Sequence, residues 1–361
     1  VRFSTAQILS AIEERGDEAE VLSMFESARG RILATVSDGE DLIDYYAGAQ
    51  ERIRNYRTRP DLHVRRFELP LPLLNEATRG GLPVCGRVAM IMADTNAGKS
   101  TFVAALGESA HRRPNTVVLH ISTEELLEDV QARYDAANVG YDRGDLLDGV
   151  FSEAAEKAFL EQMEERALRG GKLFVKCLPM GASIHAIRPY LQLVRSHHPD
   201  HDFLLIVDSP DYLNSGERNK ELRHDISAVY QTMKGWATDK DLNLSIVITT
   251  QISGQWEGTL PPVTGASESR DKARIADLGI AILEQEIDDK DKDKPEKPYV
   301  VGINKNRIGK IKNVAAYVIG HTGTCRYRQV GNTFTVKELR AKEQIEQNKK
   351  RLRDRDVRRA A

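Results

Sequence analysis

The chain has 361 residues, 52 lysines and arginines against 54 aspartates and glutamates, a formal net charge of −2, and 40% apolar residues. That length suits one large domain with an appendage, and the near-even charge excludes a uniformly basic surface, so any polyanion site must be a local patch. Cys85, Cys177 and Cys325 lie far apart with no CxxC pair, which excludes a disulfide framework and fits a reducing compartment. No apolar run approaches the roughly 18–20 residues of a membrane span, and the N-terminal stretch lacks a signal-peptide core, so a cytoplasmic protein with no membrane partner is expected.

Residues 1–60 read as a helical arm or linker. Ile8, Ile12, Val21, Leu22 and Phe25 recur at helical spacing. A second stretch, from Asp41 to Tyr56, starts acidic and ends rich in arginine, the polarity a helix dipole favours, before Arg59-Pro60 breaks it. From about residue 66 to 335 apolar strands alternate with helices. Strands are expected at 87–92, 117–121, 173–175, 203–207 and 244–248, with helices over 124–136, 152–168, 183–197 and 221–239. This alternation predicts an α/β fold with a mostly parallel central sheet and helices on both faces. After about 275 strands crowd together at 279–283, 299–303 and 315–319, as in a more antiparallel edge. The mixed-charge run 287–298 reads as a solvated loop, and residues 336–361 as a tail, basic towards its end, that forms a solvated surface helix.

The stretch Ala93-Asp94-Thr95-Asn96-Ala97-Gly98-Lys99-Ser100-Thr101 lies between the apolar run Val88–Met92 and a helix-like segment. Strand, tight loop and helix, with a Gly-Lys-Ser ending, form a phosphate-binding loop. Its backbone N–H groups face the phosphates, Lys99 reaches the β- and γ-phosphates, and the Ser100 hydroxyl holds Mg²⁺. Ala93 stands where glycine usually opens the pattern. The strand at 203–207 ends in Asp208, a carboxylate suited to the same Mg²⁺, with Asp211 a weaker candidate.

Hydrolysis also needs a group that orients and deprotonates water. The strand at 117–121, expected beside the phosphate-loop strand, runs into Ser122-Thr123-Glu124-Glu125. Glu124 is the expected base and Glu125 the reserve; Ser122 or Thr123 capping a helix is the alternative reading of the same residues. Gln251, closing Thr249-Thr250-Gln251, is the expected γ-phosphate sensor. The segment 252–274 behind it carries Trp256, Ser267, Glu268, Ser269, Arg270, Lys272 and Arg274, suited to phosphate-backbone contacts with single-stranded DNA. His197, His198, Asp200 and His201 look metal-like in composition but fit a polar turn better, and Trp236 reads as core or interface.

In order and spacing these motifs resemble the RecA-like motor domain of DnaB-type hexameric replicative helicases, including phage members, over roughly residues 66–330. ADTNAGKSTF looks like that family's P-loop, HISTEELLEDVQARYDA its second-strand motif with Glu124, and LLIVDSPDYL its Walker B strand with Asp208. ITTQIS is similar to its Gln-bearing strand, ASESRDKARIADLGIAI to its DNA-loop segment, and INKNRIGKIKNVAAYVI to its Lys-x-Arg-x-Gly hairpin, which maps to Lys305 and Arg307. Ser209 stands where the family usually has an aromatic residue.

The resemblance implies a RecA-like P-loop NTPase domain, ATP with Mg²⁺ as cofactors, and 5′→3′ movement on single-stranded DNA. It implies a homo-hexamer in which Arg307, helped by Lys305, completes the neighbour's nucleotide site. A loader or primase is the implied partner, and the host cytoplasm the location of a phage-encoded member. The same core would also serve a RecA-like recombinase, a KaiC-like ATPase that does not unwind, or a ring that does not hydrolyse.

Overall fold

The computed structural model describes residues 49–58, 65–216, 222–266, 270–285 and 294–342. The expectations for residues 1–48, for Ser267, Glu268 and Ser269, for 287–293 of the mixed-charge run and for the tail beyond 342 lie outside the described residues.

In chain order the elements are α1 (Ala49–Thr58), β1 (Arg66–Phe67), α2 (Pro72–Ala77), β2 (Leu82–Pro83), β3 (Val88–Ala93), α3 (Lys99–His111), β4 (Thr116–Ser122) and α4 (Leu127–Val139). Then come α5 (Arg143–Asp148), α6 (Glu153–Arg169), β5 (Lys172–Cys177), α7 (Arg188–His197), β6 (Asp202–Asp208), α8 (Leu222–Thr238) and β7 (Leu244–Gln251). The chain continues with α9 (Arg270–Ile275), β8 (Leu278–Glu284), β9 (Glu296–Asn306), β10 (Val314–His321) and β11 (Arg326–Thr335). Strands β1 and β2 form a small ribbon; the other nine form one sheet in the order β11-β10-β9-β8-β3-β7-β6-β4-β5. From β5 to β8 every pairing is parallel; from β8 to β11 every pairing is antiparallel.

The alternation of side chains along a strand divides the core into two layers. Val88, Met90 and Met92 of β3 join Ile226, Tyr230 and Trp236 of α8 on one face; Ala89, Ile91 and Ala93 join Phe102 and Leu106 of α3 on the other. Strands β3, β4 and β6 are buried along their whole length, which is why each reads in sequence as a near-continuous apolar run.

Three expectations are corrected. Strand β4 is not beside β3; β7 and β6 stand between them. Helix α4 begins at Leu127 rather than 124, and its N-terminal residue Leu126 makes no side-chain cap. Ser122 instead accepts from the Glu125 N–H (3.2 Å), ahead of the helix, and Thr123 is engaged elsewhere. Helix α7 likewise starts late, at Arg188-Pro189, after a 3₁₀ turn over Ile184–Ile187, because proline is favoured in the first helical turn where no N–H is needed.

Trp236 is core, as expected, and the three cysteines are free. The histidine-rich turn is a polar turn: Arg195 donates to the carbonyl oxygens of His198, Pro199 and His201 (3.3, 3.0 and 2.9 Å). Among the described residues no group of three or more metal-ligating side chains gathers, and no helix is long and apolar enough to cross a membrane.

Candidate nucleotide site

Strand β3 ends at Ala93, the chain turns through Asp94, Thr95, Asn96 and Ala97, and Gly98 at φ +78° leads into α3. That left-handed backbone favours glycine. A Cβ at Gly98 would also stand 3.4 Å from the hydroxyl oxygens of Tyr299 and Tyr327, and Tyr327 donates to the Gly98 carbonyl oxygen (3.3 Å). The loop is braced internally. The Asp94 carboxylate accepts from the Thr95 N–H (2.7 Å), and the Ala97 N–H donates to the Asp94 carbonyl oxygen (3.3 Å). Lys99 is buried, and its Nζ lies 3.5 Å from that same carbonyl oxygen, a weak bond readily exchanged for a phosphate oxygen. The N-terminal N–H groups and dipole of a 13-residue helix point at the same place.

Because β3, β7, β6 and β4 are parallel, the C-terminal ends of β6 and β4 lie at the same end of the sheet as the loop, although β4 lies three strand spacings, roughly 14 Å, from β3. Asp208 closes β6, buried, with Oδ1 accepting from the Thr249 hydroxyl of β7 at 2.6 Å. Thr123 ties the ends of β4 and β6 together: its hydroxyl donates to the Ser209 carbonyl oxygen (2.7 Å) and accepts from the Ser209 N–H (3.1 Å). Ser100 and Asp208 are hard oxygen donors, the chemistry Mg²⁺ takes together with water and phosphate oxygens. These two residues would hold it, and it would supply charge neutralisation at the phosphates.

The two candidate bases have different surroundings. Glu125 is bound by Arg133, whose Nε lies 3.1 Å from both carboxylate oxygens and whose Nη1 donates to Thr101 (2.8 Å). Glu124 is at the exposed rim, and its carboxyl is pushed up from the usual range, first by desolvation and then by the Asp208 charge, with Lys99 pulling the other way. Glu124 is therefore the carboxylate that feels both Lys99 and Asp208. Gln251 ends β7 opposite Ala93 of the adjacent β3, at the mouth of the loop.

Three further candidate residues lie away from this loop. Asn306 pairs with Leu278, which pairs in turn with the other end of β3 at Ala89, so Lys305 and Arg307 lie towards the end of the sheet opposite the phosphate loop. The offset along the strands is roughly 13 Å. Lys305 Nζ donates to the Ala273 carbonyl oxygen, and exposed Arg307 donates to that of Arg274 (3.4 Å). Burial, then the neighbouring Arg307, lowers the Lys305 ammonium from its ordinary value.

Lys272 is the clearest correction. It is fully buried, with Nζ 2.7 Å from Asp211 Oδ1, so it is not available to a DNA phosphate. Asp211 is correspondingly engaged by Lys272, Tyr230 and Thr250 rather than open to a metal. Arg270 begins α9 and Arg274 is exposed near its end. The preceding segment closes on itself, with Ile252 bridged to Ala266 and the Ser253 N–H donating to the Gly265 carbonyl oxygen (2.9 Å).

A mostly parallel sheet with this strand order, helices on both faces and a phosphate loop after β3 is the RecA-like fold of P-loop nucleoside triphosphatases. Residues 72–325 match the profile described as DnaB-like helicase C terminal domain, and the chain belongs to that family. A DnaB-like replicative helicase of Enterobacteria phage T4 is 25% identical over 253 residues, 69% of this chain and 51% of the relative. The chain thus spans about half the length of the curated relative it matches. Among solved structures, one described as an ATPase domain aligns with a TM-score of 0.66 at 17% identity, over 80% of this chain and 100% of that one. A DnaB-like replicative helicase, solved in a study of its interactions with primase, aligns with a TM-score of 0.64 at 16% identity, over 90% of this chain and 75% of that one. At these identities the two structures establish the fold.

Proposed function

We infer that this protein is an ATP-driven replicative DNA helicase that encircles and translocates on single-stranded DNA as a ring, a hexamer moving 5′→3′. Lys99 and the loop N–H groups bind the β- and γ-phosphates, and Ser100 and Asp208 hold Mg²⁺. Glu124 takes the proton from the attacking water, a role its raised carboxyl suits, because a base works best when its affinity for the proton is near the operating pH. Gln251 senses the γ-phosphate. Arg307, assisted by Lys305, completes the site of the next subunit. Ser267, Glu268, Ser269 and Arg270 contact the DNA backbone, with Lys272 withdrawn from that set.

The observation that carries this reading is the division of the machinery between the two ends of the sheet's strands. Lys99, Glu124, Asp208 and Gln251 lie at one end of the strands, while Lys305 and Arg307 lie at the other, beyond reach of their own phosphate loop. Two half-sites of this kind complement one another between copies in a closed ring. A primase or loader is the proposed partner, and the family and the primase-linked structural relative support it.

The test is unwinding of a forked duplex with ATP, with and without Mg²⁺. The expected result is Mg²⁺-dependent strand separation on forks with a 5′ single-stranded arm. ATP hydrolysis without strand separation on any fork would favour a recombinase-like or KaiC-like ATPase. No DNA-stimulated hydrolysis at all would leave a non-hydrolysing ring.

A further inference from the structure

The reassignment of Lys272 leaves a buried charge pair with no role in phosphate binding or hydrolysis. Its surroundings join four elements. Lys272, on α9, contacts Asp211, in the 3₁₀ turn that follows β6 three residues after Asp208 (2.7 Å). Lys272 Nζ also donates to the Thr250 hydroxyl of β7 (3.2 Å) and stands 5.2 Å from the centre of the Tyr230 ring of α8. Tyr230 and Thr250 in turn donate to the two oxygens of Asp211 (2.6 and 3.0 Å). Thr250 directly precedes Gln251, and its neighbour Thr249 holds Asp208. The ammonium is thus wired, through one bond each, to the turn that follows the carboxylate strand and to the sensor strand.

The other end of α9 is also held. The carbonyl oxygens of Ala273 and Arg274, in its last turn, accept from Lys305 and Arg307. A six-residue helix spans only about 9 Å. Within that length α9 is fixed on one side to strand ends that line its own nucleotide site, and on the other to the two cations proposed for the neighbour's site. A buried ion pair is seldom a net gain in stability over apolar packing, but it specifies one register, since either charge left alone is costly.

We propose that Lys272 and Asp211 are positioning residues that make α9 a rigid coupler, transmitting the state of the nucleotide site to Arg270, the proposed DNA contact at the start of α9, and to Lys305 and Arg307. The proposal rests on the helicase reading above. It places no catalytic atom on either residue; their work is to make the ends of β6 and β7 move with α9 as one body.

The experiment compares wild type with Lys272→Met and with the charge-free pair Asp211→Asn/Lys272→Met, which leaves no unpaired buried charge if the single variant does not fold. Mg²⁺-dependent ATP turnover is measured without DNA and across a titration of oligo-dT. The expected result is basal turnover and half-saturating DNA within about threefold of wild type, with the maximal DNA-stimulated rate reduced by about tenfold or more, the scale of coupling between two sites. A structural defect alone would lower basal and stimulated rates together.

Full stimulation in the folded double variant would overturn the coupler, as would a parallel loss of basal and stimulated rates. Wild type that hydrolyses ATP with no response to DNA would instead overturn the helicase reading, and the coupler with it.

Discussion

The parallel and antiparallel parts of the sheet carry different halves of one proposed machine. Strands β5-β4-β6-β7-β3 hold the phosphate loop and its carboxylates on helix-covered rails, of which β3, β4 and β6 are buried throughout. Strand β11 has no buried residue, β10 exposes only Tyr317 and β9 is buried over residues 299–303, while Lys305 and Arg307 lie at the end of β9. Burial on both faces fixes a geometry for phosphate, whereas a margin with an open face can present residues to another copy.

The largest effect is expected from placing one lesion in each part. Lys99→Ala should abolish turnover, because the phosphates lose their main cation, and Arg307→Ala should lower it about 10³-fold or more, as for a missing arginine finger. Mixing the two variants should restore turnover at boundaries that join an intact loop to an intact Arg307. An Arg307→Ala protein with wild-type turnover would remove the division of labour between the two parts.

Next in size is Glu124→Gln, expected to bind ATP normally and hydrolyse it about 10²–10⁴ times more slowly, since an amide cannot take the proton. Because its carboxyl is raised, acidification should protonate Glu124 before an ordinary carboxylate, so the acidic limb of turnover should fall off early. Glu125→Gln, which frees Arg133 from its partner, should perturb turnover less. The reverse ranking of the two variants would transfer the base by one residue.

A smaller effect concerns His120, buried in β4 with Nδ1 2.8 Å from the Tyr134 hydroxyl and its imidazole held down to about 4, chiefly by burial. The unfolded chain takes that proton near pH 6.5, the folded protein only near 4, so the depressed value costs stability as pH falls between them. From pH 7 to 5 the contribution is about 2 kcal/mol. Urea denaturation of His120→Gln at both pH values should show a correspondingly shallower loss than wild type; identical slopes would exclude His120 as the cause.

The smallest is Tyr327→Phe, which removes one neutral hydrogen bond to Gly98, about 1 kcal/mol of stability. Nucleotide affinity should weaken a few-fold if β11 supports the loop, and stay unchanged if it does not.

Legibility in the sequence follows the same division. Val88–Ala93, Thr116–Ser122 and Asp202–Asp208 announce themselves as apolar runs because both faces are covered, and the loop between β3 and α3 has a spacing little else imitates. Strand β11, Arg326–Thr335, is not legible: an outer strand needs no apolar run, and Arg326, Arg328, Gln329, Asn332 and Thr333 disguise it as a loop. The separation of β3 from β4 by two strands is a fact of topology that no local pattern encodes. Lys272 reads as a DNA contact because a lysine in a charged stretch normally faces water; only the three-dimensional neighbourhood reveals Asp211, Thr250 and Tyr230 around it. The clue in the sequence is Asp211 itself, a second acidic residue after the strand that is only the weaker candidate for Mg²⁺.

The bond from Tyr327 to Gly98 joins residues 229 positions apart. As the chain leaves the ribosome, the parallel strands and the phosphate loop are synthesised long before the tyrosine that supports them, and contacts of such sequence separation form late. The family profile ends at Cys325, immediately before β11 begins. A nascent chain stalled there would possess every motif residue of its own loop and Tyr299 beside Gly98, and would still lack the hydrogen bond that β11 supplies to the Gly98 carbonyl oxygen.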